Sequence, residues 1–583
     1  MKFELHNKIY LELADLISQA LTKLNLTSLE LEQVYKLLAP PPKANMGDVA
    51  FPCFLLAKEL KMAPPQAAEK LKECLSESEL IAEPKIFGPY LNFYLNHSKV
   101  SELILADINS GDFFKQKLVK NAPKTMVEYS QPNTHKELHV GHMRNLCFGD
   151  AIVKLYQYAG VETLSTTFPG DVGTHVAKCL WYYKKHNKET PPKERKGAWL
   201  GTLYTAANNL LEEQRGTDKE EQNRTELTKI LKELHQGQGE YYDLWKETRQ
   251  WSIELMQDVY KWADVTFDTW YWESDVDASS VSLVEEYYEK GLFVKDQGAI
   301  GIDLSDHKLG FCLLLKSDGT GLYATKDLEL ARKKFVDNKI EKSLYVVDNR
   351  QSLHFKQVFK TLELMGFENA KNCEHLQYEM VELTDGAMSS RKGNIIPLQD
   401  LIDQMELKIV SEYLHKYQNE WPADEIKEIA HIVASGAIKY GMTRVDSNKK
   451  IVFDMDEWLK LDGESGPYIQ YTYARINSLV KKIDCQAESD YALLQNQLEL
   501  NIINQLMLFN QVIQSCLEQN KTHMLCQYLY HLARAYNSFY AECSIARAES
   551  EELKAARIDL SRGVARTLKE GLAVLGIKVP ERM

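Results

Sequence analysis

Apolar and polar positions follow two rhythms along this chain, and the changes of rhythm divide it. Leu11, Leu13, Leu16, Ile17 and Leu21 approximate a helical stripe, and Pro40-Pro41-Pro42 breaks it. A second helical run is expected to carry Phe51, Phe54, Leu55 and Leu60, and residues 86–95 alternate like a strand. From about 118 onward, strand-like runs alternate with helical ones. The runs are Met126, Val127 and Tyr129, then 299–304, 311–315, 343–348 and 378–383. Residues 299–304 and 311–315 are read as the resumption of one sheet. Such alternation predicts a mostly parallel sheet covered on both faces, with ligand-binding groups beyond its C-terminal strand ends. Glu128 to Asn133, Gly170 to His175 and Asn349 to Gln351 occupy such ends.

Residues 176–258 are helical in pattern and read as an insertion between the two halves of the sheet. After Leu401 the strand signal nearly vanishes. Tyr468, Ile469, Tyr471, Thr472, Ala474, Ile476 and Leu479 begin one helix face, and Gly576 with Pro580 closes the last helix. The expected fold is multidomain α/β. Residues 1–117 form a small N-terminal α/β domain, and 118–400 a Rossmann-like parallel-sheet domain with its helical insertion at about 176–258. Residues 401–455 form a helical connector and 456–583 an all-α C-terminal bundle.

The stretch from Glu128 to Asn145 carries the first candidate chemistry. Its strand breaks at Pro132-Asn133, and a helical pattern then starts near His139, Gly141 and His142. A helix start presents unpaired N–H groups and partial positive charge, which attract phosphate. Gly141 lets a flat nucleobase lie against the backbone. Two neutral imidazoles three residues apart can donate to phosphate oxygens as charge develops there. By itself this pattern is also what two locally satisfied histidines at a helix start would give. A second signal changes the balance: Met388-Ser389-Ser390-Arg391-Lys392-Gly393 forms a small, polar, basic loop after a strand-like run.

Together these stretches resemble the His-Ile-Gly-His and Lys-Met-Ser-Lys-Ser signatures of class I aminoacyl-tRNA synthetases. Ser130-Gln131-Pro132-Asn133, Gly466-Pro467-Tyr468-Ile469-Gln470-Tyr471 and the closing Val579-Pro580-Glu581-Arg582-Met583 narrow the resemblance to the arginyl-tRNA synthetase family. The resemblance spans almost the whole chain. It implies ATP-dependent ligation of L-arginine to tRNA(Arg) through arginyl-adenylate, with Mg²⁺ accompanying ATP and no metal caged by protein ligands. His139, Gly141, His142, Met388, Ser389, Ser390, Arg391 and Lys392 would surround ATP, and Glu128, Asn133, Tyr323, Asp327 and Gln351 would hold arginine. A planar, permanently charged guanidinium needs anions, which Glu128 and Asp327 supply from the two half-sheets. The N-terminal domain would grip the outer corner of the tRNA. The C-terminal helices would face the anticodon stem-loop, where Tyr471, Arg475 and Tyr536 offer stacking surfaces.

One departure stands out. Ala387 and Ser390 occupy places where the general signature has lysines, so the loop lacks its usual cation. Lys136, three residues before His139, is the expected substitute, with Lys392 the alternative. The remaining readings are a class I synthetase of another specificity and a non-catalytic paralogue that binds RNA or protein.

Composition changes this picture little. The net charge of −13 argues against a generally basic surface, although binding depends on local patches. From Lys554 to Met583 seven Lys/Arg stand against three acids, a surplus that fits an RNA-facing surface or an ordinary solvated helix face. Ten scattered cysteines without a Cys-x-x-Cys pair argue against a zinc ribbon or disulfide framework. The start carries charges where a signal peptide needs an apolar run, and no stretch suits a membrane span. A cytoplasmic monomer without a membrane partner is expected.

Overall fold

The computed structural model describes residues 2–26, 28–383, 386–387 and 396–583. In chain order, β1 (Lys2–Phe3) pairs with β5 (Val119–Lys120), and β2 (Val49–Pro52), β3 (Ile81–Phe87) and β4 (Tyr90–Leu95) make a small antiparallel sheet. Leu13, Leu16, Ile17 and Leu21 of the Lys8–Lys23 helix are buried, as the stripe predicts. Phe51 belongs to β2, not to a helix, and the following helix is only Phe54–Leu60. Residues 86–95 are two strands, because Gly88 (φ +56) and Pro89 turn the chain between them.

The central sheet is wholly parallel, with β6 (Thr125–Glu128), β7 (Thr163–Thr167), β8 (Thr269–Trp270), β12 (Lys342–Asp348) and β13 (Cys373–Tyr378) in the order β13-β12-β6-β7-β8. The chain leaves β6 toward β7 on one side and later adds β12 on the other. The crevice between β6 and β12 is therefore the topological switch point, where ligands bind in such sheets. The insertion comprises four helices, Thr174–Lys185, Lys196–Glu213, Lys219–Gln236 and Glu240–Trp262.

The expectation that residues 299–304 and 311–315 resume this sheet is corrected. β9 (Val294–Asp296), β10 (Ala299–Asp303) and β11 (Phe311–Leu315) form their own antiparallel sheet. The short link through the Ser305–His307 turn allows a hairpin but not the long crossover that a parallel pair needs. The strand read at 378–383 is also broken. β13 ends at Tyr378, and β14 (Val381–Leu383) pairs with β15 (Gly386–Ala387) and, in parallel, with β16 (Ile451–Phe453). A short strand thus occurs in the stretch after 401 where the strand signal nearly vanishes.

The C-terminal part is helical from Gly466–Lys482 to Glu551–Val574. The Gly466-Pro467-Tyr468-Ile469-Gln470-Tyr471 motif makes a close helix crossing. A Cβ on Gly466 would lie 2.4 Å from the Gly436 carbonyl oxygen, and buried Gln470 donates to the carbonyls of Ile432 (3.0 Å) and Lys578 (2.7 Å). One continuous core runs from Ile9 through Leu146 and Tyr440 to Ile577. Polar bonds cross the same boundary, from Tyr156 Oη to Asn520 (2.8 Å) and from Tyr440 Oη to the Cys526 carbonyl (3.0 Å). The bundle cannot be cut away without exposing a buried face of the Val140–Tyr158 helix.

Candidate functional site

Beyond β6 the chain makes two left-handed residues, Ser130 (φ +55) and His135 (φ +59), before the Val140–Tyr158 helix begins. The intervening loop is anchored from behind. Thr134 N–H donates to the Gly170 carbonyl (2.8 Å), and buried His135 Nε2 lies 2.8 Å from Thr248 Oγ1 on the last insertion helix. Burial lowers His135 to about 3, so this imidazole is a neutral strut.

His139 caps the helix. The Gly141 N–H donates to His139 Nδ1, and the His139 N–H donates to His142 Nδ1, both at 3.1 Å. A nitrogen that accepts from a backbone N–H carries no proton, so both rings are neutral with the hydrogen on Nε2. The rings lie 4.0 Å apart, centroid to centroid. Burial first, then the charges of Lys136 and Arg350, lower His139 to about 4. Burial, His139 and Lys136 hold His142 well below its usual range. The sequence motif thus becomes two fixed Nε2–H donors at a helix N-terminus. Lys136 lies within electrostatic reach of both, with its ammonium 5.0 Å from the Tyr204 ring centroid. Met388, Ser389, Ser390, Arg391 and Lys392 lie outside the described residues.

Each acid expected to hold arginine already has an internal partner. Glu128 is buried at the end of β6, where it pairs with the buried ammonium of Lys334 and accepts from Gln131 Nε2 (3.2 Å). Its carboxylate already has an internal cation, which would have to give way for Glu128 to serve as a guanidinium ligand. Asp327 accepts from His354 Nε2 (2.6 Å) and stays half-buried. Burial pulls His354 down, but that hydrogen bond and the charge of Asp327 together outweigh it and raise the imidazole above its ordinary value. Tyr323, at the first turn of the same helix, is 63% exposed, so its ring is available to cover an alkyl stem. Gln351 is exposed at the end of the turn that follows β12.

Asn133 faces Gly170 and brings in an acid that the sequence reading missed. A Cβ on Gly170 would meet Asn133 Oδ1 at 2.4 Å and Glu273 Cδ at 3.5 Å. Glu273 begins the helix after β8 and lies 3.3 Å from the buried ammonium of Lys326. Burial, outweighing that lysine and aided by Asp171 and Asp327, raises Glu273 to about 7. Its signal in the sequence was positional, an acid just past a C-terminal strand end, but β8 is too short to stand out as a strand. Asp171 is a support: it accepts from Arg249 Nε (2.7 Å), Ser274 N–H (2.9 Å) and Ser274 Oγ (2.7 Å).

Of the residues expected to meet the anticodon, Tyr536 is corrected. It is fully buried, with its hydroxyl 3.2 Å from Ser561 Oγ, and no base can stack on it. Tyr471 and Arg475 do reach the surface. Arg475 donates to Tyr471 Oη (3.1 Å), and its guanidinium lies 5.7 Å from the ring of Tyr540, which is exposed. The basic surplus of the tail is largely spent on internal partners. Lys554, Arg557, Arg562, Lys578 and Arg582 pair with Glu551, Glu499, Asp559, Asp264 and Glu425, and Arg566 donates to the Asn109 carbonyl.

A parallel sheet with paired imidazoles at its switch point, joined to a helical bundle, defines a class I tRNA synthetase. The family model "tRNA synthetases class I (R), catalytic domain" matches residues 104–455. "Arginyl tRNA synthetase N terminal domain" matches 11–95, and "DALR anticodon binding domain" matches 469–583. An arginine–tRNA ligase of Bdellovibrio bacteriovorus is 56% identical, with 95% of each chain covered. One from Clostridium perfringens is 33% identical over 95% of this chain and 97% of its own. The solved Thermus thermophilus arginyl-tRNA synthetase superimposes with a TM-score of 0.80 at 27% identity, covering 98% of this chain and 99% of that one. The chain belongs to the arginine–tRNA ligase family.

Proposed function

We propose that the chain joins L-arginine to its cognate tRNA in two steps. The arginine carboxylate attacks the α-phosphorus of MgATP, forming arginyl-adenylate and releasing pyrophosphate. The terminal ribose hydroxyl of tRNA then attacks the carbonyl carbon of the mixed anhydride, and AMP leaves. The observation that carries this reading is the tautomer of the two histidines: both Nε2–H donors are set by backbone N–H groups before any substrate arrives. Donors fixed in advance stabilise developing phosphate charge without reorganisation. Asn133, Glu273, Asp327, Tyr323 and Gln351 form the arginine pocket in this reading, with Lys136 supplying the cation that the usual lysines at the places of Ala387 and Ser390 would provide. Mg²⁺ enters with ATP, and the enzyme works as a cytoplasmic monomer. Among the described residues no helix is long and apolar enough to cross a membrane.

Pyrophosphate exchange with each amino acid, with and without tRNA, tests the reading. Only arginine should support exchange, and only with tRNA present. The acids of the pocket already have internal partners, Lys326 on Glu273 and His354 on Asp327, so the site without substrate favours a self-paired state that bound tRNA must shift. Robust exchange without tRNA would count against this account.

Ionisation gives a second test. Glu273 titrates near 7, and its protonated form cannot pair with a guanidinium. The KM for arginine should therefore rise as pH falls through about 7. The KM for ATP should stay level there, because His139 remains neutral down to about 4. In Glu273→Gln the pH dependence of the arginine KM should vanish; its persistence would remove Glu273 from the pocket.

A further inference from the structure

The Val140–Tyr158 helix carries a buried arginine that its phosphate chemistry does not use. Arg144, two residues past His142, is 1% exposed. Among the described residues no carboxylate lies within ion-pairing distance of it. Its donors go to four backbone carbonyls on two separate segments. Nη1 donates to Glu379 and Met380 (3.3 Å to the latter), and Nη2 to Asp446 and Ser447 (3.4 Å each). The guanidinium also lies 5.7 Å from the Tyr378 ring centroid. Burying a cation without an anion is costly, and the carbonyl dipoles offset that cost only while all four stay in place.

Those carbonyls mark a particular point in the fold. Residues 379 and 380 form the elbow between β13 and β14, and β15 ends at Ala387, immediately before Met388. The two segments are also joined to each other. Glu379 N–H donates to the Ser447 carbonyl (2.8 Å), and Ile451 N–H to the Met380 carbonyl (3.1 Å). The next side chain, Asn145, donates through Nδ2 to the Val346 carbonyl (2.8 Å) and to Tyr378 Oη (3.1 Å). Two consecutive side chains thus tie the helix to the central sheet and to the elbow.

We propose that Arg144 is a positioning residue for adenylate formation: it fixes the two imidazoles relative to the β13–β14 elbow that leads into residues 388–395. Only a planar fork reaches both segments at once. Lysine keeps the charge but offers donors from a single point. The inference rests on the reading of His139 and His142 as phosphate donors.

The test compares Arg144→Lys with His142→Asn in the full chain, with saturating tRNA. Arg144→Lys should lower the single-turnover rate of adenylate formation by about 10- to 100-fold, the scale of a small misplacement of reacting groups. The KM values for arginine and ATP should change little. Hydrogen exchange at residues 379–383 and 446–451 should quicken in Arg144→Lys while residues 343–348 keep wild-type protection. His142→Asn should lower the rate and leave exchange at the elbow unchanged. A wild-type rate in Arg144→Lys overturns the proposal, as does a loss that merely follows the unfolded fraction measured by circular dichroism. If Arg144→Lys does not fold, the wild-type protein decides. Amides 379–383 and 446–451 must then be as protected as those of the Val140–Tyr158 helix, and rapid exchange there overturns the proposal. A full rate in His142→Asn would instead remove the phosphate-donor reading and leave the structural tie standing.

Discussion

Glu128→Gln is expected to destabilise the protein by about 3–5 kcal/mol, the cost of leaving one charge of a buried pair uncompensated. Lys334 is fully buried, its ammonium rests on Glu128, and it lies 3.8 Å from the Tyr345 ring centroid. An amide can accept from that ammonium but cannot neutralise it. Removing both charges should recover most of the loss, because an apolar replacement of a buried pair is often neutral or stabilising. Urea unfolding of Glu128→Gln, Lys334→Met and the double variant measures this directly. The double variant should be more stable than Glu128→Gln alone. If Glu128 instead served arginine, the amide variant would show a raised arginine KM with unchanged stability, and the pair would lose its structural role.

Lys136→Ala should slow adenylate formation by about 10²-fold or more, the scale of losing one preorganised electrostatic group. Arginine and tRNA affinity should change little. The departure at Ala387 and Ser390 motivates this expectation, and the position of Lys136 supports it. Its charge is felt by His139 and His142, and also by His175 at the start of the first insertion helix. A cation so placed can neutralise the leaving pyrophosphate. The informative comparison is the single-turnover rate of Lys136→Ala beside Lys392→Ala, both with saturating tRNA. A wild-type rate in Lys136→Ala, with collapse only in Lys392→Ala, would return the catalytic cation to the loop.

Local patterns in the sequence determined the order and kind of most elements, because helix and strand periods and turn residues act over a few positions. They also located the histidine motif, since a helix start and its cap are local events: His139 and His142 are fixed by N–H groups within three residues. Resemblance located the family. What the sequence could not decide was partnership across distance. Residues 299–304 and 311–315 have the apolar pattern of core strands, yet sheet membership depends on which edge they meet, and a short link made them a hairpin. Tyr536 and Tyr540 are one turn apart on one helix, and only the packing of the Glu551–Val574 helix against it makes one core and leaves the other exposed. Glu128 and Glu273 are both acids past strand ends. Tertiary structure gave the first a lysine 206 residues away, and it gave the second Lys326 and a place beside Gly170, which Asn133 also faces. Charge pairing inside a fold depends on burial and distance, and neither is written in any short stretch of chain.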